Sequence, residues 1–283
     1  SPAVTAATRA DNIKLGIDFL MCDKATPDTK KYVKELIKLN EYRKLVQAEA
    51  LERHKGSINE ADKVAIVYDP SLGKGMNGLV AQEISKKFNR PAIVLGDGDD
   101  ENTYAGSFRG LEDFSMLELL ERCKTVEHTG GHPGAGGLSL VKANLQNLKD
   151  ELNGHLSNFT PDNTLYYDLE FNVDEIDERM INYITDFYRY SGNNFKSGKF
   201  LIKNLFISDK KLMGKTNNTV KIDCGKLQLM KFKTDEDYFD KVPVFTGIEA
   251  VGTLNMNIWK QYKPKFKINK TCQLFIEEYQ EVI

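Results

Sequence analysis

Residues 63–95, KVAIVY-DPSLGKG-MNGLVAQEISKKFNR-PAIVL, decide the fold class of the first half of the chain. Lys63-Val64-Ala65-Ile66-Val67-Tyr68 is a short β-branched run, and residues 69–75 hold Pro70, Gly73 and Gly75, which break it. A helical pattern resumes at Asn77 and runs through Leu79, Val80 and Ile84 to Phe88. Arg90-Pro91 closes it, because the residue before a proline is pushed out of the helical region, and Ala92-Ile93-Val94-Leu95 follows as a second apolar run. Strand, helix and strand of these lengths predict a parallel pair joined by a crossover helix.

Toward the N-terminus, Ile13, Leu15, Ile17, Leu20 and Met21 have the spacing of a short amphipathic helix. Thr26 then supplies a cap, Pro27 suits the first helical position and Asp28 meets the positive end of the helix dipole. Tyr32, Leu36, Leu39, Tyr42, Leu45 and Ala48 recur at steps of three and four, so one helix of about 28 residues, roughly 40 Å long, should run to about His54. Toward the C-terminus, a strand beginning near Asn102 should carry Gly106-Ser107-Phe108-Arg109-Gly110, and Ser115 with Glu118 forms a capping box. Residues 130–137, GGHPGAGG, look like a turn, and a helix should follow from about Lys142 to His155. Residues 158–163 have the composition of a boundary. Beyond it come a strand at 165–171, a capping box from Asn172 to Glu175, a helical stripe of Ile176, Met180, Ile184 and Phe187, and breakers at 191–194. From Phe200 onward the pattern becomes short β runs at 200–207, 219–224, 227–232, 245–254, 266–269 and 274–279, separated by turn-rich pieces such as 214–218, which predicts a small all-β barrel.

Composition agrees with two ordered domains. At 283 residues with 41% hydrophobic and 28% charged side chains, the chain has enough apolar surface to offset its conformational entropy. No apolar run reaches the length needed to cross a bilayer and the N-terminus has no leader pattern, so the expected location is cytoplasmic, with no membrane partner. Cys22, Cys123, Cys224 and Cys272 form no C-x-x-C pair, which argues against a zinc knuckle and for buried thiols. Residues 196–283 contain 16 Lys against 10 Asp or Glu, a net +6 that leaves −8 for residues 1–195. Such asymmetry points to a polyanionic partner for the C-terminal part, although a solvated lysine-rich surface has the same composition.

Three features bear on binding chemistry. Gly130, Gly131 and the glycines that follow let backbone N–H groups approach a phosphate, with His132 as a donor; a tight structural turn would look the same. Ser107 and Arg109 are two residues apart on a strand, hence on one face, and offer a hydroxyl and a guanidinium fork to phosphate oxygens; an exposed, solvated arginine is the plainer alternative. Trp259, Tyr262 and Phe266 lie among Lys260, Lys263, Lys265 and Lys267, a mixture that lets bases stack while ammonium groups follow the backbone; core aromatics under a lysine coat would give the same pattern.

The order of the pieces resembles a known family. Ala6-Ala7-Thr8-Arg9, a long helix, Gly78-Leu79-Val80-Ala81, residues 90–95, Gly106-Ser107-Phe108-Arg109, Gly130-Gly131-His132, residues 251–259 and Leu274-Phe275-Ile276-Glu277-Glu278 together resemble RecJ-like, DHH-family exonucleases specific for single-stranded DNA. The resemblance implies an α+β multidomain chain, with a mixed-sheet α/β DHH-associated domain followed by an all-β OB-like barrel. Its expected boundaries are a C-terminal remnant of the DHH domain at 1–25, a linking helix at 26–55, the DHH-associated domain at 56–160, a connecting strand and helix at 161–195 and the OB-like domain at 196–283. It implies phosphate contacts for Arg9, Ser107, Arg109, Gly130, Gly131 and His132, in keeping with a DNA-facing role for Trp259 and Lys260. Thr129 departs from the glycine usual in the family and Gly136 from its usual alanine.

For the whole enzyme the resemblance implies hydrolysis of single-stranded DNA from 5′ to 3′ with Mn²⁺ or Mg²⁺, in repair, recombination or replication. Two-metal hydrolysis needs an Asp and His cluster. With only His54, His128, His132 and His155 and no Asp-His-His sequence, no complete metal site and no catalytic residue are expected here; the DHH catalytic domain is expected before Ser1. Expected partners are single-stranded DNA, that catalytic domain and replication or recombination proteins. The competing readings are a DHH-type phosphodiesterase for oligonucleotides or cyclic dinucleotides, and a non-catalytic RecJ-like scaffold.

Overall fold

The computed structural model describes residues 2–282 apart from 112–114, 163, 193, 194, 215 and 235, and Glu236 only in its backbone. The breaks expected at 191–194 and 214–218 and the end of the boundary at 158–163 therefore lie partly outside the described residues. The chain divides into two compact units, residues 1–163 and 164–283.

The first unit opens with α1 (Pro2–Arg9), α2 (Ile13–Leu20) and α3 (Pro27–His54). The long helix spans the residues its sequence predicts. The Thr26 side chain accepts from the Thr29 amide, Thr29 returns the bond to Thr26, and Arg53 and His54 place positive charge in the last turn. The short N-terminal helix α1, which periodicity alone does not reveal, packs Ala7 against Leu15 and Leu36 of the next two helices. At its far end α3 is tied down by the buried carboxylate of Asp69, which contacts His54 Nε2 at 2.9 Å and Arg53 Nη1 at 3.1 Å. Burial alone would raise the pKa of Asp69, but hydrogen bonds from Ser71 and His54 and the charge of Arg53 outweigh it and hold the carboxyl below its ordinary value.

Next come β1 (Ala65–Tyr68), α4 (Lys74–Phe88), β2 (Ala92–Asp97), β3 (Thr103–Arg109), α5 (Met116–Arg122), β4 (His128–His132), β5 (Ala135–Val141) and α6 (Leu145–His155). The sheet runs β1-β2-β3-β5-β4, with β1 and β2 parallel across α4 and every other pair antiparallel. Period-two alternation gives it two faces. Ala65, Val67, Ala92 and Val94 pack beneath Met76, Val80 and Ile84 of α4. Ile93, Leu95, Phe108, Leu138 and Leu140 pack on the other side against Met116 and Leu120 of α5 and Leu148 and Leu152 of α6.

The second unit contains β6 (Leu169–Asn172), α7 (Glu178–Phe187), β7 (Phe200–Ile207), β8 (Asp209–Met213), β9 (Thr219–Cys224), β10 (Leu227–Phe232), α8 (Glu236–Lys241), β11 (Thr246–Gln261) and β12 (Lys267–Glu281). Its seven-stranded OB-like sheet runs β6-β7-β11-β12-β10-β9-β8 around a core that includes Ile202, Leu205, Val220, Ile222, Leu229, Ile248, Leu254 and Leu274. Asn172 and Glu175 do form a capping box, but it opens a single 3₁₀ turn; the α-helix that follows is capped by Asp177, whose carboxylate accepts from the Met180 amide at 2.7 Å. The four thiols are free, with Cys123 and Cys224 buried. Among the described residues no helix is long and apolar enough to cross a membrane.

Candidate nucleic-acid interface

The glycine-rich stretch is a hairpin, not the turn expected from its composition. β4 and β5 pair from His128 with Ser139 to His132 with Ala135, and only Pro133 and Gly134 connect them. Strand pairing then fixes which side chains share a face. Arg109 pairs with Ala135, which pairs with His132; two residues along, Ser107 pairs with Gly137, which pairs with Gly130. Directly opposed residues point to one side, so Ser107, Arg109, Gly130 and His132 share one face. Two strand spacings separate Arg109 from His132, about 10 Å between backbones. Small residues floor the space between them.

The intervening residues Phe108, Gly136 and Gly131 face the opposite way. Phe108 is fully buried, and a Cβ on Gly136 would come within 2.6 Å of its ring. Gly131, whose φ is 140°, is exposed and faces away from the side that carries His132 and Gly130, so its expected phosphate contact does not follow from the shared face. The departure at Gly136 has its physical reason in the hairpin backbone and the same ring, since a Cβ there would also stand 2.2 Å from Gly130 O. Gly130 is different: a Cβ there would meet nothing within 4 Å, so packing does not require glycine, and the bare backbone leaves room for a ligand. Thr129 uses its hydroxyl to bond Gly137 O at 3.1 Å across the hairpin.

Arg109 lies half-buried, with Nη1 donating to Phe108 O at 2.7 Å and Nη2 lying 2.7 Å from where Gly78 of α4 would carry a Cβ. Arg9, at the end of α1, donates to Gly75 O at 3.2 Å, and a Cβ on Gly75 would stand 2.7 Å from Arg9 O. These two glycines therefore let α1 and the Arg109 side chain close on the start of α4. Burial, and then repulsion from Arg9, lowers the pKa of the Arg109 guanidinium. Among the described residues neither arginine has a carboxylate partner, and the hydroxyl of Ser107 and the ring of His132 have no hydrogen bond. Two adjacent cations without a counter-ion, above a floor without side chains, can be relieved by an anion; the N-terminal turns of α4 add the positive end of a helix dipole.

Arg9, Ser107, Arg109, Gly130 and His132, singled out in the sequence, all lie in the first unit, while Gly75 and Gly78 were missed, although their spacing at the start of a helix was a signal. Also missed is that His128 and Ser139 lie on the same face as His132, because a stretch taken as a turn hides its alternation. Trp259 and Lys260 belong to the second unit and sit beyond the body of the sheet, on the paired ends of β11 and β12 and not on a barrel wall. The described Asp, Glu, His and Cys side chains nowhere gather in threes as a metal would need, so they do not fit the divalent ions implied for the whole enzyme.

Residues 61–158 match the DHHA1 domain and residues 167–270 the RecJ OB domain. The single-stranded-DNA-specific exonuclease RecJ of Bacillus subtilis (strain 168) is 25% identical over 279 residues, covering 93% of this chain and 35% of that protein. The enzyme of the same name from Salmonella typhimurium is 33% identical over 151 residues, covering 49% of this chain and 26% of that protein. A crystal structure of RecJ in complex with Mg²⁺, from Thermus thermophilus, superposes with a TM-score of 0.73 at 20% identity over 100% of this chain and 42% of that one, which shows the shared fold. The chain thus covers 26% to 42% of the length of these relatives.

Proposed function

We propose, from the premise that this chain belongs to the RecJ-like family as its DHHA1 and OB portion, that it holds single-stranded DNA for 5′-to-3′ degradation by the whole exonuclease. Arg9, Arg109, Ser107 and His132 grip phosphate oxygens above the bare backbone of Gly130, and Gly131 keeps the hairpin thin enough to serve as that floor. Trp259 and Lys260 supply a second contact, a ring for a base and an ammonium group for the backbone. Hydrolysis, with Mn²⁺ or Mg²⁺, belongs to the whole enzyme; this chain binds and orients the strand inside the cell.

The observation that carries the reading is the pair of adjacent arginines without a counter-ion over a glycine that packing does not explain. An oligonucleotide titrated against the full chain at increasing salt tests it. Binding through phosphates should weaken with a log–log slope of about −0.7 for each phosphate neutralised on a single strand. A flat response, or no binding at low salt, removes the reading.

A further inference from the structure

Beyond Asn255 the two longest strands leave the sheet. β11 pairs with β7 only between Thr246 and Gly252, and β12 pairs with β10 only between Cys272 and Phe275, yet β11 and β12 remain paired to each other as far as Gln261 and Lys267. Residues 257–271 therefore form a two-stranded ribbon whose outer edges are unpaired among the described residues and whose side chains are mostly exposed toward the tip, although Asn269 Nδ2 is buried. Tyr262 and Phe266 close it with ring centroids 5.8 Å apart, 71% and 60% exposed. The ribbon carries no acidic residue; the nearest along the chain are Glu249 and Glu277. Lys270 anchors it by pairing with Glu178 of α7, while Lys260, Lys263, Lys265 and Lys267 have no ion pair among the described residues.

Shape selects among polyanions. A single strand is held in a groove lined by cations and aromatic rings, whereas the tip of this ribbon, beyond Trp259 and Lys260, is two strands with no second wall among the described residues. A concave, uniformly anionic partner is the groove of a duplex, and the major groove, about 12 Å wide, admits a two-stranded β-ribbon. Register places Asn257, Trp259, Gln261, Lys267, Asn269 and Thr271 on one face, where the partly exposed amides of Asn257 and Gln261 can reach base edges, with the lysines beside the phosphates. We infer that the ribbon is an arm for double-stranded DNA, engaging the duplex that adjoins the single strand. This rests on the reading of the chain as a nucleic-acid-binding portion and adds a substrate class to it: a duplex carrying a single-stranded tail.

The test compares a single-stranded oligonucleotide, the same oligonucleotide as the tail of a hairpin duplex, and a blunt hairpin, each bound by the full chain and by the triple variant Lys263→Gln, Lys265→Gln, Lys267→Gln. All three lysines are solvated, so the fold is retained. A second variant replaces residues 262–266 by Asn-Gly, a two-residue hairpin connection between the paired Gln261 and Lys267 that removes the tip and keeps Trp259 and Lys260, with circular dichroism as its control. The expected result is a loss of about tenfold or more on both duplex-bearing probes, a salt slope on them shallower by about 2.7 for the triple variant, and single-strand affinity within about twofold of the parent. Equal loss on all three probes would overturn the duplex assignment while leaving the single-strand reading intact. Unchanged affinity on every probe would remove the ribbon from nucleic-acid binding altogether.

Discussion

The five-stranded and seven-stranded sheets both present positive charge, but they hold it differently. In the first unit the charge sits on two arginines pressed together against α4, one of them half-buried, on a sheet face thinned to glycine and alanine. In the second it sits on Lys260, Lys263, Lys265 and Lys267, spread along an exposed ribbon, each on a flexible stem in water. Guanidinium forks fixed before a ligand arrives lose little entropy when they bind it, and they are shielded from salt by their surroundings; solvated ammonium groups are screened within about 10 Å at ordinary ionic strength. The first arrangement suits a defined phosphate position, the second an extended and forgiving contact.

The largest effect should come from the face of the first sheet that touches no ligand. Phe108 fills the rung between Ile93 and Gly136, and its ring supports the floor from below. Phe108→Ala should destabilise the first unit by about 3–5 kcal/mol, the usual cost of deleting a buried aromatic ring. Hydrogen exchange should show protection lost in β2 to β5 and kept in β9 to β12. Equal loss in both units would mean that their cores do not stand apart as the two clusters of buried residues indicate.

Arg109→Ala should weaken oligonucleotide binding by about 1.5–3 kcal/mol, the range for a hydrogen bond to a charged group, and Arg109→Lys should restore little because a point charge does not reproduce the fork. Lys260→Ala should cost no more than about 1 kcal/mol, with the difference disappearing first as salt is added. Equal losses for the two substitutions would erase the contrast between fixed and solvated charge.

How much of this was legible depended on whether the signal is local. The long helix could be bounded from Thr26 and Pro27 because a cap involves residues three apart. The strands around α4 were equally plain, since β-branched runs flanked by breakers leave few other conformations. The hairpin at 128–141 was not, because glycines carry no apolar alternation and pairing with β3 is a long-range choice. The same limit explains β11 and β12: the sequence shows short runs at 245–254, 266–269 and 274–279, whereas residues 255–261 and 270–273 continue the pairing into one long ribbon. For the site, the residue types of Ser107, Arg109 and His132 were visible; their common face depended on register. The closeness of Arg9 to Arg109 depended on Gly75 and Gly78, whose role is to be small where another chain segment passes.

That role yields the smallest and most discriminating substitution. Gly78 is in the body of α4, where alanine is favoured over glycine by roughly 0.5–1 kcal/mol, so Gly78→Ala should leave the helix as stable as before or slightly more so. The added methyl would stand 2.7 Å from Arg109 Nη2, too close to keep, and the atom it meets is the far end of a flexible side chain, not backbone. The guanidinium must therefore swing away while the fold stays. Oligonucleotide affinity should fall by about 1 kcal/mol, a fraction of the Arg109→Ala loss because the charge remains nearby. In the double variant the effect of Gly78→Ala should vanish, since it acts only through the arginine. If Gly78→Ala weakens binding as much without Arg109 as with it, then the placement of that guanidinium is not what the glycine protects, and the fixed-charge account of the first sheet loses its geometric basis.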